Sequence, residues 1–364
     1  MSDLKQSRAR VLELLPDPHH TIEQVETALR LYLALARGLL LQPGEATAAS
    51  KLRSALTFRW TDSLLATTVL RADAVFEVGS MLMNTGFWFM KHAAMLAAKK
   101  EISMEEAKEV HTSLKKAAGV VKFVQETLLP QLVEKGADGG DLDGRVTTAY
   151  INQCTAEAQE VTIARAIELK HNPTLVSALA HETSKMFTTA ADNLHTLDQK
   201  VFGHWRAYFE MKAQFYLSYA YSYQGEAVLA EDRCGDAIRC LQESKACLGK
   251  AAAMATEYAK TKGPGTTARP EKHTFFRRLA PIVQRTLEKC ERENGFIYHQ
   301  KVPYDPVQLP TNDLTHGLVA PEQWEIPTVS PLWTPMAYAA FDESKLTDKV
   351  SLTLYEDHFI TVQF

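Results

Sequence analysis

The sequence predicts an all-α protein. Of fifteen prolines, seven lie between Pro303 and Pro335, so the first three hundred residues are free to form long helices and the segment after them is not. Apolar residues recur at helical spacing, as at Leu114, Ala117, Ala118 and Val121. No sustained period-two alternation precedes residue 300. These observations divide the chain into a helical body to about residue 302, a Pro-rich arm over 303–342 packing back on it, and a tail over 343–364.

The helix starts are written in capping chemistry. Thr21-Ile-Glu-Gln24 and Ser103-Met-Glu-Glu106 both fit the capping box, in which hydroxyl and carboxamide or carboxylate satisfy reciprocal backbone donors. Pro43-Gly44 and Asn172-Pro173 mark breaks. Two long polar loops are expected, at Gly136–Gly144 and Lys262–Pro270. Ala74 to Met90 is the most membrane-like stretch. It is short for a bilayer crossing and holds Glu77 and Asn84, so it reads as a buried core helix. The aromatic run from Trp205 to Tyr223 opens a helix pair. Ala220–Ala227 followed by Cys234–Leu241 resembles one tetratricopeptide hairpin, without a repeat elsewhere. The tail alternates like two short strands at Val350–Tyr355 and His358–Phe364.

Composition excludes several function classes. Forty Lys and Arg against forty-four Asp and Glu give a net charge of −4, which argues against a nucleic-acid-binding domain. The five cysteines form no CxxC pair, so neither a disulfide framework nor a four-thiolate zinc site is expected, and a reducing, cytoplasmic compartment fits. The N-terminus has no apolar signal core.

Catalytic motifs fail one by one. Gly263-Pro-Gly265 follows a helix, and its proline removes an amide that a phosphate would need. Asp141-Leu-Asp143-Gly144 lacks the outer ligands of a calcium loop. His181-Glu182 has Lys185 where a zinc-binding histidine belongs. Glu168-Leu-Lys-His171 is a single half of a di-iron motif. Cys154 and the other cysteines read as inert buried thiols. The expectation is no enzyme activity, no cofactor and no metal. What remains is a helical scaffold whose inter-helix grooves, walled in part by the returning arm, accept another chain.

Several segments resemble the Bro domain family, the helical domain of Alix and its relatives. They are Ala117-Ala-Gly119, Ala156-Glu-Ala-Gln-Glu-Val161 continuing to His171, Gly295-Phe-Ile-Tyr298 with Val302-Pro303, Gly317-Leu-Val319 and Trp333-Thr-Pro335. Their order and spacing cover about Ser7 to Asp342. The resemblance implies an elongated, boomerang-shaped domain with a tetratricopeptide-like centre. It implies a non-enzymatic adaptor whose concave groove binds the C-terminal amphipathic helix of an ESCRT-III subunit, a charged multivesicular body protein, at endosomal or nuclear-envelope membranes. A tetratricopeptide-like scaffold for other linear peptides is the alternative.

Carried over residue by residue, the resemblance implies partner-binding roles for Ile163, for Val176 with Leu175 beside it and Leu179 one turn on, for Leu318 on the arm, and for the basic residue Lys108. Core packing is the alternative for Ile163, Leu175, Val176 and Leu179. The chain departs from the family pattern in three places. It starts at the first helix, where the family has a short strand-containing extension. His316 stands before Gly317 where a tyrosine is expected, which weakens a contact made by that ring. The last four residues, Thr361-Val-Gln-Phe364, contain no cysteine for the prenylation box that a single-domain branch of the family carries. With no spanning helix and no prenyl group, the chain is expected to reach membranes only through its partner; direct lipid binding by the tail or a basic face is the competing reading.

Overall fold

The computed structural model describes residues 2–42, 49–99, 101–263, 274–310 and 317–340. Among them are ten α-helices and one two-stranded antiparallel hairpin, so the fold is all-α in class. The chain separates into two compact units. One holds Met1–Ile151 with the chain from Pro321; the other is Asn152–Ala320. The predicted tail strands, His316 and the Pro43-Gly44 break lie outside the described residues, as does most of the expected Lys262–Pro270 loop.

The first unit contains α1 (Ser2–Leu14), α2 (Ile22–Leu40), β1 (Phe58–Thr61), β2 (Thr68–Arg71), α3 (Ala74–Ala97), α4 (Met104–Phe123) and the first turns of α5 (Gly144–Glu168). Both capping boxes form: Gln24 N donates to Thr21 Oγ1 at 3.2 Å and Glu106 N to Ser103 Oγ at 3.2 Å, each with the reciprocal bond in place. Helix α3 is buried on almost every side, as the run Ala74–Met90 predicts. No described helix is long and apolar enough to cross a membrane.

Glu77 explains how a carboxylate tolerates the middle of that run. It is 1% exposed and accepts from Arg8 Nε at 2.6 Å, Tyr32 Oη at 2.5 Å and Trp60 Nε1 at 2.7 Å. Four elements, α1, α2, β1 and α3, therefore meet at one charge. A buried ion of this kind persists only when its oxygens are satisfied by donors.

The hairpin corrects the sequence reading, which saw no alternation here. Each strand has four residues, too few for the period to declare itself, and pairing runs from Phe58 opposite Arg71 to Thr61 opposite Thr68. Asp62 shapes the turn by accepting from Leu64 N at 3.1 Å and Leu65 N at 2.9 Å, with Ala66 in the left-handed region at φ 52°. The supposedly open loop before α5 is also more buried than expected. Asp141 is 8% exposed and accepts from Ser63 N at 2.7 Å and Ser63 Oγ at 2.5 Å, while its own N–H donates to Asp62 Oδ2 at 2.7 Å. Burial and the neighbouring Asp62 charge push its carboxyl up to about 7.

The arm from Pro321 packs along α4 and α2. Glu322 N donates to Lys115 O at 3.0 Å, and Lys116 Nζ bridges Glu26 at 2.8 Å and Glu322 at 2.9 Å. The arm passes so close to Gly119 that a side chain there would collide with the Glu322 carbonyl, which gives the Ala117-Ala-Gly119 string a physical reason. Farther on, Trp324 packs edge-on against Phe123, and Trp333 Nε1 donates to Leu35 O at 2.7 Å with its ring over Gly38. A short helix, α10 (Pro335–Ala339), ends the described chain.

In the second unit, α6 (Pro173–Leu194), α7 (Gln199–Leu229) and α8 (Cys234–Tyr258) stack antiparallel. Small hydroxylic residues let the helices approach: Ser177 Oγ donates to Ala220 O and Ser184 Oγ to Ala213 O, both at 2.8 Å, and Ser218 Oγ to Ser244 O at 2.8 Å. The predicted helix pair is α7 with α8, where Gly225 lies against Leu241. Helix α9 (Thr274–Glu293) closes on α8 through Cys234, Ile238, Leu241, Leu287 and Cys290.

Candidate partner-binding surface

Gln159, on the part of α5 within the second unit, is fully buried. A buried carboxamide must find partners for both its ends. Its Nε2 donates to Gly317 O at 3.0 Å, and its Oε1 accepts from Val319 N at 2.7 Å. The side chain thus grips the returning chain on both sides of Leu318, as a neighbouring strand would. Gly317 supplies the turn into this segment with φ 88°, a region that disfavours any side chain, and its α-carbon sits over Leu179, whose Cδ2 is 3.5 Å from where a β-carbon would lie. The result is alternation: Val319 is turned in, at 8% exposed, and Leu318 is turned out, at 41%.

The other expected contact residues fall in different places. Ile163, Val176 and Leu179 are buried at 0%, 0% and 1%, so in this chain they form interior packing and present no surface. Leu175, at the start of α6, is half-buried. The structure brings Gly317 against Leu179, and Gln159 holds the two residues that flank Leu318. Lys108 belongs to the other unit; it is exposed on α4 and paired with Glu105 at 2.9 Å. His316 lies outside the described residues. Sequence reasoning gave Gln159 only as part of a string. A long polar side chain in a segment whose neighbours Ala156 and Ala158 are core-sized was the available signal.

Elsewhere in this unit α5 and α7 share a charge system centred on a buried lysine. Lys212, only 5% exposed, has its Nζ 2.5 Å from Glu160 and stands over the rings of Phe187, Tyr208 and Tyr216. Glu157 lies alongside, accepting from Gln153 Nε2 at 3.0 Å. Burial and the nearby Glu160 charge push its carboxyl up to about 7, against the opposing pull of Lys212. Lys212 is buried while Glu157 and Glu160 are half-buried, and the group ties α5 to α7.

The rejected catalytic candidates are scattered. His181 Nδ1 lies 3.1 Å from Pro310 O, and His171 is exposed at the end of α5. All five cysteines are free and buried, and burial raises the thiol of Cys154 well above its ordinary value. Among the described residues no three His, Cys, Asp or Glu side chains gather as a metal site.

The profile of the BRO1-like domain matches residues 39–339. The chain belongs to the BRO1-like domain family. It is 48% identical over 345 residues to the human BRO1 domain-containing protein BROX, covering 94% of this chain and 84% of that protein. A Caenorhabditis elegans BROX homolog is 38% identical over 356 residues, with 94% and 83% covered. Among solved structures, the ALIX BRO1 domain in a complex with CHMP4C superposes with a TM-score of 0.70 at 20% identity, covering 91% of this chain and 86% of that one. A Bro1 domain described in connection with endosomal targeting gives 0.63 at 20% identity, covering 96% and 86%. The BRO1 fold is thereby shared, and the resemblance drawn from scattered strings is correct at the level of family.

Proposed function

We propose that this BRO1-like domain is a non-enzymatic adaptor that binds the C-terminal amphipathic helix of an ESCRT-III charged multivesicular body protein and acts in membrane remodelling at endosomes or the nuclear envelope from the cytoplasmic side. The observation that carries the reading is Leu318. It is a large apolar side chain held outward by two hydrogen bonds to its flanking peptide groups, next to a glycine that lies against Leu179 of α6. A single exposed leucine is ordinary on a protein surface. What sets Leu318 apart is that a buried carboxamide fixes its outward direction, which suits it to anchor an amphipathic helix that presents apolar residues three and four apart. The ALIX BRO1–CHMP4C complex and the BROX relatives support the choice of partner class. Ile163, Val176 and Leu179 act as the packed support of this surface, and Lys108 as a basic contact for an acidic position of the partner.

Calorimetry of the purified chain against ESCRT-III C-terminal helix peptides, with Leu318→Asp as control, tests the proposal. Saturable binding abolished by the substitution is expected. Equal binding of unrelated linear peptides would favour the general scaffold reading instead.

A further inference from the structure

The Gly295-Phe-Ile-Tyr298 string has no part in the surface above, and the structure gives it a setting of its own. Helix α9 buries Leu279, Val283, Leu287 and Cys290. On its outer side, at alternating steps of four and three, stand Arg278, Ile282, Arg285, Lys289 and Arg292. That spacing places all five along one line of the helix, and Phe296 follows in the wider turn beyond its end. Arg278, Arg285, Lys289 and Arg292 are exposed, as are the apolar Ile282 at 37%, Phe296 at 80% and Ile297 at 67%. Glu288 borders the stripe, three residues after Arg285 and four before Arg292, and accepts from Gln284 Nε2 at 2.5 Å. Glu291 falls on the far flank of the helix, and Glu293 pairs with Lys289 at 3.8 Å. Arg278, Arg285 and Arg292 form no salt bridge among the described residues. In a chain whose net charge is −4, the stretch 245–301 carries twelve Lys and Arg against five Glu.

Phe296 and Ile297, the most exposed of these three apolar residues, are held firmly. They ride on a wide turn at Asn294–Tyr298, closed by His299 N donating to Asn294 O at 2.8 Å. Asn294 and Gln300 exchange two further hydrogen bonds at 2.9 Å, and Gln300 is tied to Asp232 O at 2.7 Å and to Gly235 N at 2.9 Å. Phe296 and Ile297 therefore project from a braced knob.

We propose that this stripe and its knob are a docking surface for an anionic lipid bilayer. Four cations along one line complement a layer of acidic headgroups, and Ile282 on that line with Phe296 and Ile297 at its end enter the boundary beneath them. A side chain with four-fifths of its surface free has no wall beside it, so a partner helix finds no groove here. A fluid bilayer closes around a projection without needing one. This adds a direct contact to recruitment through the partner, where the sequence reading expected the partner alone.

Flotation of the full chain with vesicles of phosphatidylcholine, with and without phosphatidylserine, tests it. Binding is expected only with phosphatidylserine and is expected to fade at high salt, because the attraction decays within a Debye length of about 8 Å at physiological ionic strength. Each cation near such a surface is worth about fivefold in affinity, so Arg285→Gln with Lys289→Gln and Arg292→Gln should lose about a hundredfold. Phe296→Ser with Ile297→Ser should float less while melting as the parent does. Failure of the parent to float on phosphatidylserine vesicles, or equal flotation of folded variants, overturns the proposal. So does capture of a soluble acidic peptide without vesicle binding, which would make the stripe a protein-binding face.

Discussion

Gln159 holds Val319 through a 2.7 Å hydrogen bond that spans 160 positions of sequence. With its second bond to Gly317 it sets which way Leu318 faces. Gln159→Ala leaves the buried Val319 N–H without a partner and removes the donor to Gly317 O, which lies in a part-buried setting. A loss of about 1–3 kcal/mol is expected for each unsatisfied group that water cannot reach. Amide exchange at Val319 should accelerate, and affinity for the partner helix should fall although Gln159 never touches it. Unchanged exchange at Val319 would show that the clamp does not hold the arm.

Leu318→Asp separates binding from folding. Covering a leucine contributes roughly 1.5–3 kcal/mol, and a carboxylate under an apolar helix adds a desolvation cost. At 1.4 kcal/mol per tenfold, affinity should drop more than about a hundredfold. The residue is 41% exposed, so the thermal melt should stay close to the parent. A binding loss that appears only together with a lowered melt would assign Leu318 to anchoring the arm.

Glu77→Ala should be among the costliest substitutions in the first unit. It strands the Arg8 guanidinium, which is held with its pKa raised by the Glu77 charge and hydrogen bond against the opposing effect of its burial, together with Tyr32 and Trp60. Removing one side of a buried pair costs about 3–5 kcal/mol. Urea denaturation followed by tryptophan fluorescence measures this directly. A change below about 1 kcal/mol would show that the network adds nothing.

Glu157 makes stability depend on pH. Its folded carboxyl holds a proton up to about 7, against an ordinary value of 4.5, chiefly because of burial. The folded state then binds more protons than the unfolded state between about pH 4.5 and 7, so stability should fall as pH rises through that window. Glu157→Gln removes this contribution. The variant should match the parent at about pH 5 and exceed it at about pH 8, by up to about 3 kcal/mol. Parallel stability–pH curves for the two proteins would contradict the assignment.

The parts of the fold that were legible are those decided within a few residues. Thr21 with Gln24 and Ser103 with Glu106 state their caps locally, and the length and composition of Ala74–Met90 identify a core helix. The β1–β2 hairpin escaped because four-residue strands do not establish a period. In the candidate site, Leu318 was recognisable because it stands among prolines with few helical neighbours. Gln159 was not, since the backbone groups that give its carboxamide a purpose lie some 160 residues away. Ile163, Val176 and Leu179 show the converse limit: an apolar residue on a helix looks the same in sequence whether it lines a groove or fills a core.

The first unit is discontinuous in the gene product's order of synthesis. Arg37 on α2 donates to Ile326 O and Pro327 O, and Ala34 and Leu35 receive Ser330 N and Trp333 Nε1. The ribosome delivers α2 long before it delivers these partners, and the whole of Asn152–Ala320 emerges in between. The second unit can complete its helix stack from one unbroken stretch. The first must wait with the arm-facing sides of α2 and α4 uncovered, around the bare backbone of Gly38 and Gly119, until the arm from Pro321 has been made. Contacts of such sequence separation form slowly, and the interval exposes apolar surface to chaperones and to aggregation. Nascent chains stalled before Pro321 should therefore yield a protease-resistant second unit and a first unit still open to cleavage.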